Sequence, residues 1–233
     1  MHEGIKRLLN LQKTDEKIDE LKTRIRLKQD QAVTEQDKID KRKEEQKDRE
    51  EKLEELRKES HRKNAKVDDL EYQINKYKEK LDEGIISFKE MEDLEKKIKN
   101  SKERMGDLEE EAINLMMKIE DMEKKQKEYE EELKDFVKNH KDRKNKIEEE
   151  VEELQEKLSS VEQDKKELEE NISRRLLSQY RRLKSEYDQP LAEIVNGVCQ
   201  GCKMTVSKNT VTQAREEKEI ATCENCSRIL YIR

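Results

Sequence analysis

The stretch "LQKTDEKIDELKTRIRLKQDQAVTEQDKID" at residues 11–40 carries an apolar side chain at every seventh position. The count continues to residue 81, and nine of its eleven positions are apolar. The series is Leu11, Ile18, Ile25, Ala32, Ile39, Gln46, Leu53, Ser60, Val67, Ile74 and Leu81. A strict seven-residue repeat keeps its apolar stripe against a neighbouring helix only when the helices supercoil. This stretch therefore predicts one helix of a coiled coil.

A second series of sevens runs from Met91 to Leu168, and only Gln126 and His140 interrupt it with polar side chains. Between the two series, Gly84 suits the position just past a helix end, while Ser87 and Glu90 form a capping-box pair. A short connection makes two helices antiparallel neighbours. The predicted fold is mostly α: residues 1–188 form a long antiparallel coiled-coil hairpin with helices at about 5–81 and 88–186 and a turn at 82–87.

The companion row of the first helix is polar in its middle, at Lys28, Glu35, Arg42 and Arg49. We therefore expect weak packing in the middle of the hairpin. Aligning the two heptad series also places Gln46 opposite Gln126. Their amides could hydrogen-bond across the helix interface.

The composition excludes one large globular core, because 48% of the residues are charged, 30% are hydrophobic and tryptophan is absent. Disorder is the alternative for such a composition. However, 59 acidic and 53 basic residues nearly cancel, and Glu–Lys pairs recur at helical spacing, which favours solvated helices. The sequence shows neither a membrane span nor a signal peptide, so we predict a cytoplasmic protein. A reducing compartment favours thiolate–metal sites over disulfides.

The composition of the sequence changes after Tyr187. Residues 189–233 contain all four cysteines and short β-rich pieces at 219–222 and 228–233. The cysteines form "CQGC" at 199–202 and "CENC" at 223–226, a spacing typical of a zinc ribbon. We predict one structural zinc ion held by Cys199, Cys202, Cys223 and Cys226. Four protein ligands leave no coordination position for water. We expect Gly201 and Asn225 to take the left-handed conformation that each turn needs.

Three other interpretations of the cysteines are weaker. Two disulfides would need an oxidising compartment. A redox CxxC normally follows a strand and opens a helix in a βαβ unit, which the sequence does not predict. An iron–sulfur cluster also accepts four cysteines.

The C-terminal part is also unevenly charged, since residues 171–233 carry eleven basic and seven acidic side chains. The candidate partner-binding residues, here called the basic set, are Arg174, Arg175, Arg181, Arg182, Lys184, Lys203, Lys208 and Arg228. They either complement the dipole of a helix end or contact a nucleic acid or protein partner. No catalytic constellation stands out, and we predict that the protein is not an enzyme.

The segments "VCQGCKM" at 198–204, "CENCSRILY" at 223–231 and "SFKEMEDLEKKI" at 87–98 resemble a bacterial family of C4-type zinc-ribbon proteins with an N-terminal coiled-coil hairpin. The resemblance implies that the four cysteines are zinc ligands. Members of that family are linked to sigma-54, to flagellar gene expression and to RNA binding. The resemblance therefore implies a cytoplasmic adaptor or regulator of transcription or post-transcriptional control. Such a protein would bind a protein or RNA partner, and it would bind neither a membrane nor a small-molecule substrate.

Two alternative functions follow from the hairpin. Asp82 and Glu83 make the predicted turn acidic. Coiled-coil factors that enter the secondary channel of RNA polymerase also have acidic residues at the tip of their hairpin. The hairpin looks too long for that role. The other alternative is a purely structural spacer.

Overall fold

The computed structural model describes residues 2–84, 86–216 and 219–232. Its elements are α1 (Glu3–Asp82), α2 (Phe88–Glu170), α3 (Arg174–Glu186), β1 (Leu191–Val195), β2 (Val198–Cys199), α4 (Lys208–Glu216) and β3 (Ile229–Tyr231). The chain divides into two compact units. The turn unit is Thr34–Arg143, and the terminal unit combines the chain up to Val33 with the chain from Lys144 onward.

The turn between α1 and α2 has the chemistry that the sequence predicts. Gly84 has a φ of 70° just past the end of α1. The Ser87 amide donates to a Glu90 carboxylate oxygen over 2.8 Å, and the Glu90 amide donates to Ser87 Oγ over 3.3 Å. The capping box and the start of α2 at Phe88 are confirmed. Of the predicted turn at 82–87, residue 85 lies outside the described residues.

The heptad stripe is the face along which the two long helices pack. In α1 every member of the series is buried or half-buried, and in α2 only Met91, near the turn, is exposed. In the turn unit, Glu35 contacts His140 and Lys63 contacts Glu111, so the helices run in opposite directions. In the terminal unit, Lys22 contacts Glu162 and Lys28 contacts Glu150, so the two helices are antiparallel there too. The antiparallel helical hairpin is confirmed.

The prediction of one continuous helix over 88–186 is wrong, because the chain leaves the helix between Glu170 and Arg174. The amides of Asn171 and Ile172 donate to carbonyls three residues earlier, which tightens the last turn. Ile172 then turns into the core of the terminal unit, where it is 6% exposed. The Arg7 guanidinium donates to the Asn171 carbonyl that the break releases. Tertiary packing therefore ends α2 without a glycine or proline.

The polar row in the middle of the hairpin is better packed than expected. The Arg42 guanidinium lies 5.6 Å from the centre of the Tyr129 ring and 5.2 Å from that of Phe136. Arg49 lies 4.3 Å from the centre of the same tyrosine ring. The Tyr129 hydroxyl donates to the Arg42 carbonyl over 3.1 Å. Cation–π contacts and long aliphatic stems thus replace the apolar side chains that the row lacks.

The predicted hydrogen bond between Gln46 and Gln126 is absent from this part of the structure. Each amide instead donates to a carboxylate one turn later on its own helix, Gln46 to Glu50 and Gln126 to Glu130. Those bonds need no adjustment of the opposite helix, since residues four apart lie on one face. Hydrogen bonds from Lys38 and His140 lower the pKa of Glu35 in the same unit, so this carboxylate remains charged in the helix interface.

The terminal unit joins the start of α1 to the end of the chain. Its larger core cluster consists of Ile5, Leu8, Leu11, Ile172, Tyr180, Leu183, Leu191 and Ile229. The three-stranded sheet has the order β2-β1-β3, with β1 antiparallel to β2 and parallel to β3. Leu191 lies opposite Ile229 in the parallel pair. The small ribbon therefore shares a core with the coiled coil of its own unit.

The ribbon is less β-rich than the sequence predicts. The piece at 219–222 contributes only an isolated bridge, from Thr222 to Ile229. Residues Lys208–Glu216 form α4, which was not predicted, and Ser207 Oγ caps it by accepting from the Thr210 amide over 3.2 Å. Within the described part of the chain, no helix has both the length and the apolar character needed to cross a bilayer.

Candidate metal centre

The four cysteines meet at one point of the terminal unit. Their Sγ atoms all lie within 4.8 Å of one another. The separation is 4.0 Å between Cys199 and Cys226 and 3.7 Å between Cys202 and Cys223. Four sulfurs about 2.3 Å from one tetrahedral zinc ion lie roughly 3.8 Å apart. The arrangement and the all-thiol donor set fit one zinc ion.

The two CxxC segments form the same turn. The amide of the residue after the second cysteine donates to the carbonyl of the first, from Lys203 to Cys199 over 2.8 Å and from Ser227 to Cys223 over 2.9 Å. The amide of each first cysteine donates to a carbonyl five residues later, on Met204 and Arg228 respectively. Two equivalent turns thus present two sulfurs each to the same point.

The left-handed residues of these turns are not the ones that the sequence predicts. Lys203 has a φ of 62° and Ser227 a φ of 61°, whereas Gly201 and Asn225 are not left-handed. The turn therefore places the left-handed residue after the second cysteine. Side chains other than glycine adopt this conformation at a cost of about 1–2 kcal/mol. The two equivalent backbone hydrogen bonds hold both residues in it.

Gly201 serves the turn in a different way, by leaving space for a neighbouring side chain. A Cβ atom at this position would lie 2.6 Å from Cδ of Arg228 and 3.1 Å from Cβ of Ala192. The missing side chain lets Arg228 cross the first turn. The guanidinium of Arg228 then stacks 3.7 Å from the centre of the Tyr187 ring, and its Nε donates to the Gln189 carbonyl over 2.9 Å.

Burial dominates the electrostatics of the first ligand. Cys199 and Cys223 are buried, while Cys202 and Cys226 are half-buried. Burial raises the pKa of the Cys199 thiol to about 12, and the backbone amides of Cys202 and Gly201 act in the opposite direction. A metal cation supplies the positive charge that keeps such a buried sulfur deprotonated. With four protein ligands, the site suits a structural ion.

The members of the basic set have different surroundings. The exposed face of α3 carries two arginine pairs, Arg174 with Arg175 and, two helical turns later, Arg181 with Arg182. Arg181 is ion-paired with Glu169 at 2.6 Å, and Lys184 with Asp19 at 2.9 Å. Lys203 donates to the Gln200 side chain over 2.8 Å, and Lys208 begins α4. The structure does not join the set into one contact network.

A buried polar network holds α3 against the long helices of the terminal unit, and the sequence did not single it out. The Tyr180 hydroxyl donates to Asp15 over 2.6 Å, and Lys165 contacts the other oxygen of that carboxylate at 2.8 Å. Burial, and then the bond to Asp15, raises the pKa of Tyr180 well above its usual value, so the phenol stays a donor. A tyrosine on the apolar face of a helix otherwise rich in arginine is the available sequence signal.

The fold and the site define a helical-hairpin protein that carries a C4-type zinc ribbon. The chain belongs to the family of the CT398-like coiled-coil hairpin domain, whose model matches residues 11–188. The model of a C4-type zinc ribbon domain matches residues 198–230. None of the curated proteins compared with this chain matches it.

Solved structures share the fold. CT398 from Chlamydia trachomatis is 22% identical, with a TM-score of 0.87 over 99% of this chain and 98% of that one. The HP0958 protein from Helicobacter pylori is 23% identical, with a TM-score of 0.60 over 99% and 97%. A protein from Mycobacterium smegmatis is 15% identical, with a TM-score of 0.65 over 97% of each chain. At these identities the likeness concerns the fold alone.

Proposed function

We propose that the protein is a non-enzymatic adaptor of the bacterial cytoplasm that binds RNA or an acidic face of a transcription protein through the basic set. The observation that carries this proposal is the exposed face of α3, where Arg174, Arg175, Arg181 and Arg182 lie together. Arginine forms strong bidentate contacts with phosphates and carboxylates. Sigma-54-dependent and flagellar gene expression are the processes that the family resemblance suggests.

The contacts divide the basic set into three groups. Arg181, Lys184 and Arg228 have partners within the terminal unit and help to hold α3 and the ribbon in place. Arg174, Arg175 and Arg182 are exposed, and we assign partner binding chiefly to them. Lys203 and Lys208 extend the positive charge toward the ribbon. The zinc ion has a structural role in this proposal, because it fixes the turns that carry Lys203 and Arg228.

The test is a salt titration with a labelled single-stranded RNA of about 20 nucleotides and mixed sequence. Affinity for a single strand falls with salt by roughly 0.7 logarithmic units per phosphate contact and per logarithmic unit of salt. The variant Arg174→Ala/Arg175→Ala/Arg182→Ala should therefore bind more weakly and reduce the slope by about 2. The control is Lys41→Ala/Lys43→Ala on α1, which removes two exposed positive charges elsewhere and should leave the slope unchanged.

Two further arms separate the partners. Affinity purification with and without ribonuclease distinguishes RNA-dependent from direct protein partners, and purified sigma-54 is the first protein to titrate. Lys203→Gly removes a charge of the basic set while favouring the left-handed turn, so it tests the ribbon side without unfolding it. The proposal would be contradicted if the triple-arginine variant bound both RNA and protein partners with the same affinity and the same salt slope as the wild type.

A further inference from the structure

A second surface of the chain lies on α2 in the turn unit and is apolar and exposed. Ile113, Met116 and Met117 are 58%, 51% and 63% exposed, while their neighbours Ala112 and Leu115 are buried against α1. Single exposed apolar residues are common, but three within five residues form a patch on one helix face. These side chains therefore do not serve the packing of the hairpin.

Gly106 belongs to the same face, because it precedes Ile113 by seven residues, or two helical turns. Apart from its chain neighbours and the backbone of its own helix, a Cβ atom at Gly106 would meet no atom of the described residues within 4 Å. Glycine in a helix interior costs about 1 kcal/mol relative to alanine. The packing of the hairpin therefore does not require this glycine, and the position leaves room for another backbone to approach α2 closely.

The surroundings of the patch are acidic. Residues 103–123 contain eight acidic and two basic side chains, a net charge of −6 that equals the net charge of the whole chain. Glu109 and Glu120 lie on the same face as Ile113 at helical spacing. Lys63 and Arg57 of α1 pair with Glu111 and Glu123, so the basic residues of α1 bond acidic residues beside the hairpin interface.

We infer that the face formed by Gly106, Ile113, Met116 and Met117, here called the methionine face, docks a basic amphipathic helix of another protein. Methionine side chains adapt to partners of different shape, and exposed apolar side chains at helical spacing can pack against the apolar side of such a helix. Glu109 and Glu120, which precede and follow the apolar residues on the same face, match lysines or arginines of that helix. This surface is separate from the basic set, which selects anions and so has the opposite charge preference.

The test uses a fluorescent peptide of about 18 residues, built from leucine, alanine and lysine in an amphipathic helical pattern. The matched probe has glutamate in place of each lysine. Fluorescence anisotropy should show binding of the lysine peptide to the full chain, weakened by salt, and no binding of the glutamate peptide. The variant Ile113→Ser/Met117→Ser should lose about tenfold or more in affinity, since it removes two buried anchors from the complex.

Two further variants control the interpretation. Gly106→Gln should weaken peptide binding and at the same time leave or raise the Tm, because the bulkier residue blocks close approach but favours the helix. Leu27→Ser/Val33→Ser removes two apolar side chains of similar exposure on α1 and should bind the peptide like the wild type. Equal binding of both peptides, or wild-type affinity of both methionine-face variants, would overturn the inference. A wild-type dimer that dissociates on Gly106→Gln would also overturn it, because the face would then bind a second copy of this chain.

Discussion

The hydrogen bond between Tyr180 and Asp15 offers the sharpest test of how α3 is held. Tyr180 is 2% exposed, and its hydroxyl donates to one oxygen of Asp15 while Lys165 contacts the other. The substitution Tyr180→Phe removes this hydroxyl and keeps the ring. The Asp15 carboxylate then stays buried with one partner fewer.

The expected cost follows from the charge of the acceptor. A hydrogen bond to a charged group contributes about 1.5–3 kcal/mol, and leaving a buried acceptor without it costs a similar amount. A loss of about 2 kcal/mol corresponds to roughly a 30-fold change in an opening equilibrium. Because the remaining helices dominate circular dichroism, the suitable assay is hydrogen exchange of the α3 amides. Those amides should exchange roughly 30-fold faster in Tyr180→Phe.

The matched control is Tyr72→Phe, which removes a hydroxyl from a tyrosine that is 69% exposed on α1. It should leave exchange in α3 unchanged. If Tyr180→Phe changes α3 exchange by less than threefold, the network does not anchor this helix, and the apolar contacts of Leu183 and Ile172 hold it instead.

Three other predictions concern the metal centre and the turn. Purified protein should contain one zinc per chain by elemental analysis, and Cys199→Ser or Cys226→Ser should unfold the ribbon while helicity largely persists; iron, or a folded metal-free ribbon, would contradict this. Gly201→Ala should speed zinc release to a chelator by displacing Arg228 from the first turn, whereas Gly106→Ala should not. Hydrogen bonds from the backbone amide and the hydroxyl of Ser87 lower the pKa of Glu90 below its usual 4.5. The ionised Glu90 side chain therefore stabilises the start of α2 fully above pH 4.5, and this stabilisation is lost as the pH falls through the lowered pKa. The first turn of α2 should therefore exchange faster in acid, and Glu90→Gln should abolish that pH dependence.

The long helices were predictable because one periodicity specifies them. The series from Leu11 and from Met91 repeat the same seven-residue apolar spacing many times, and packing against the partner helix buries the predicted side chains. The four cysteines were predictable for a related reason, since a metal needs ligands in a narrow range of spacing. Both features depend on residue types at fixed intervals, and a sequence displays those intervals directly.

The break at Asn171–Ser173 was not predictable from helix propensity. The helix ends there because Ile172 enters the core that α3 and the start of α1 provide, and the start of α1 lies far from it in sequence. The residues Asn171 and Ser173 were the available hints, since both types favour helix ends. The left-handed residues of the cysteine turns were missed because propensity favours glycine and asparagine, whereas the backbone hydrogen bonds select Lys203 and Ser227.

The polar middle of the hairpin was misjudged for a third reason. The heptad rule scores Arg42 and Arg49 as unsuitable for an interface, but it does not register that Tyr129 and Phe136 lie opposite them. Pairwise chemistry across the interface is not visible in the pattern of a single helix. It becomes visible once the register of the two helices is known.

The core shared by the first turns of α1 and by β3 has a consequence for synthesis on the ribosome. Leu8 is completed 221 residues before Ile229, with which it shares the core. At about 5–20 residues per second, roughly 10–45 s pass between the synthesis of Leu8 and that of Ile229, which completes this core. During that interval the apolar side chains at the start of α1 lack part of the core that buries them in the folded protein. The core around Leu8 is thus complete only when translation has passed the ribbon, and a chain that stops before β3 lacks Ile229 from that core.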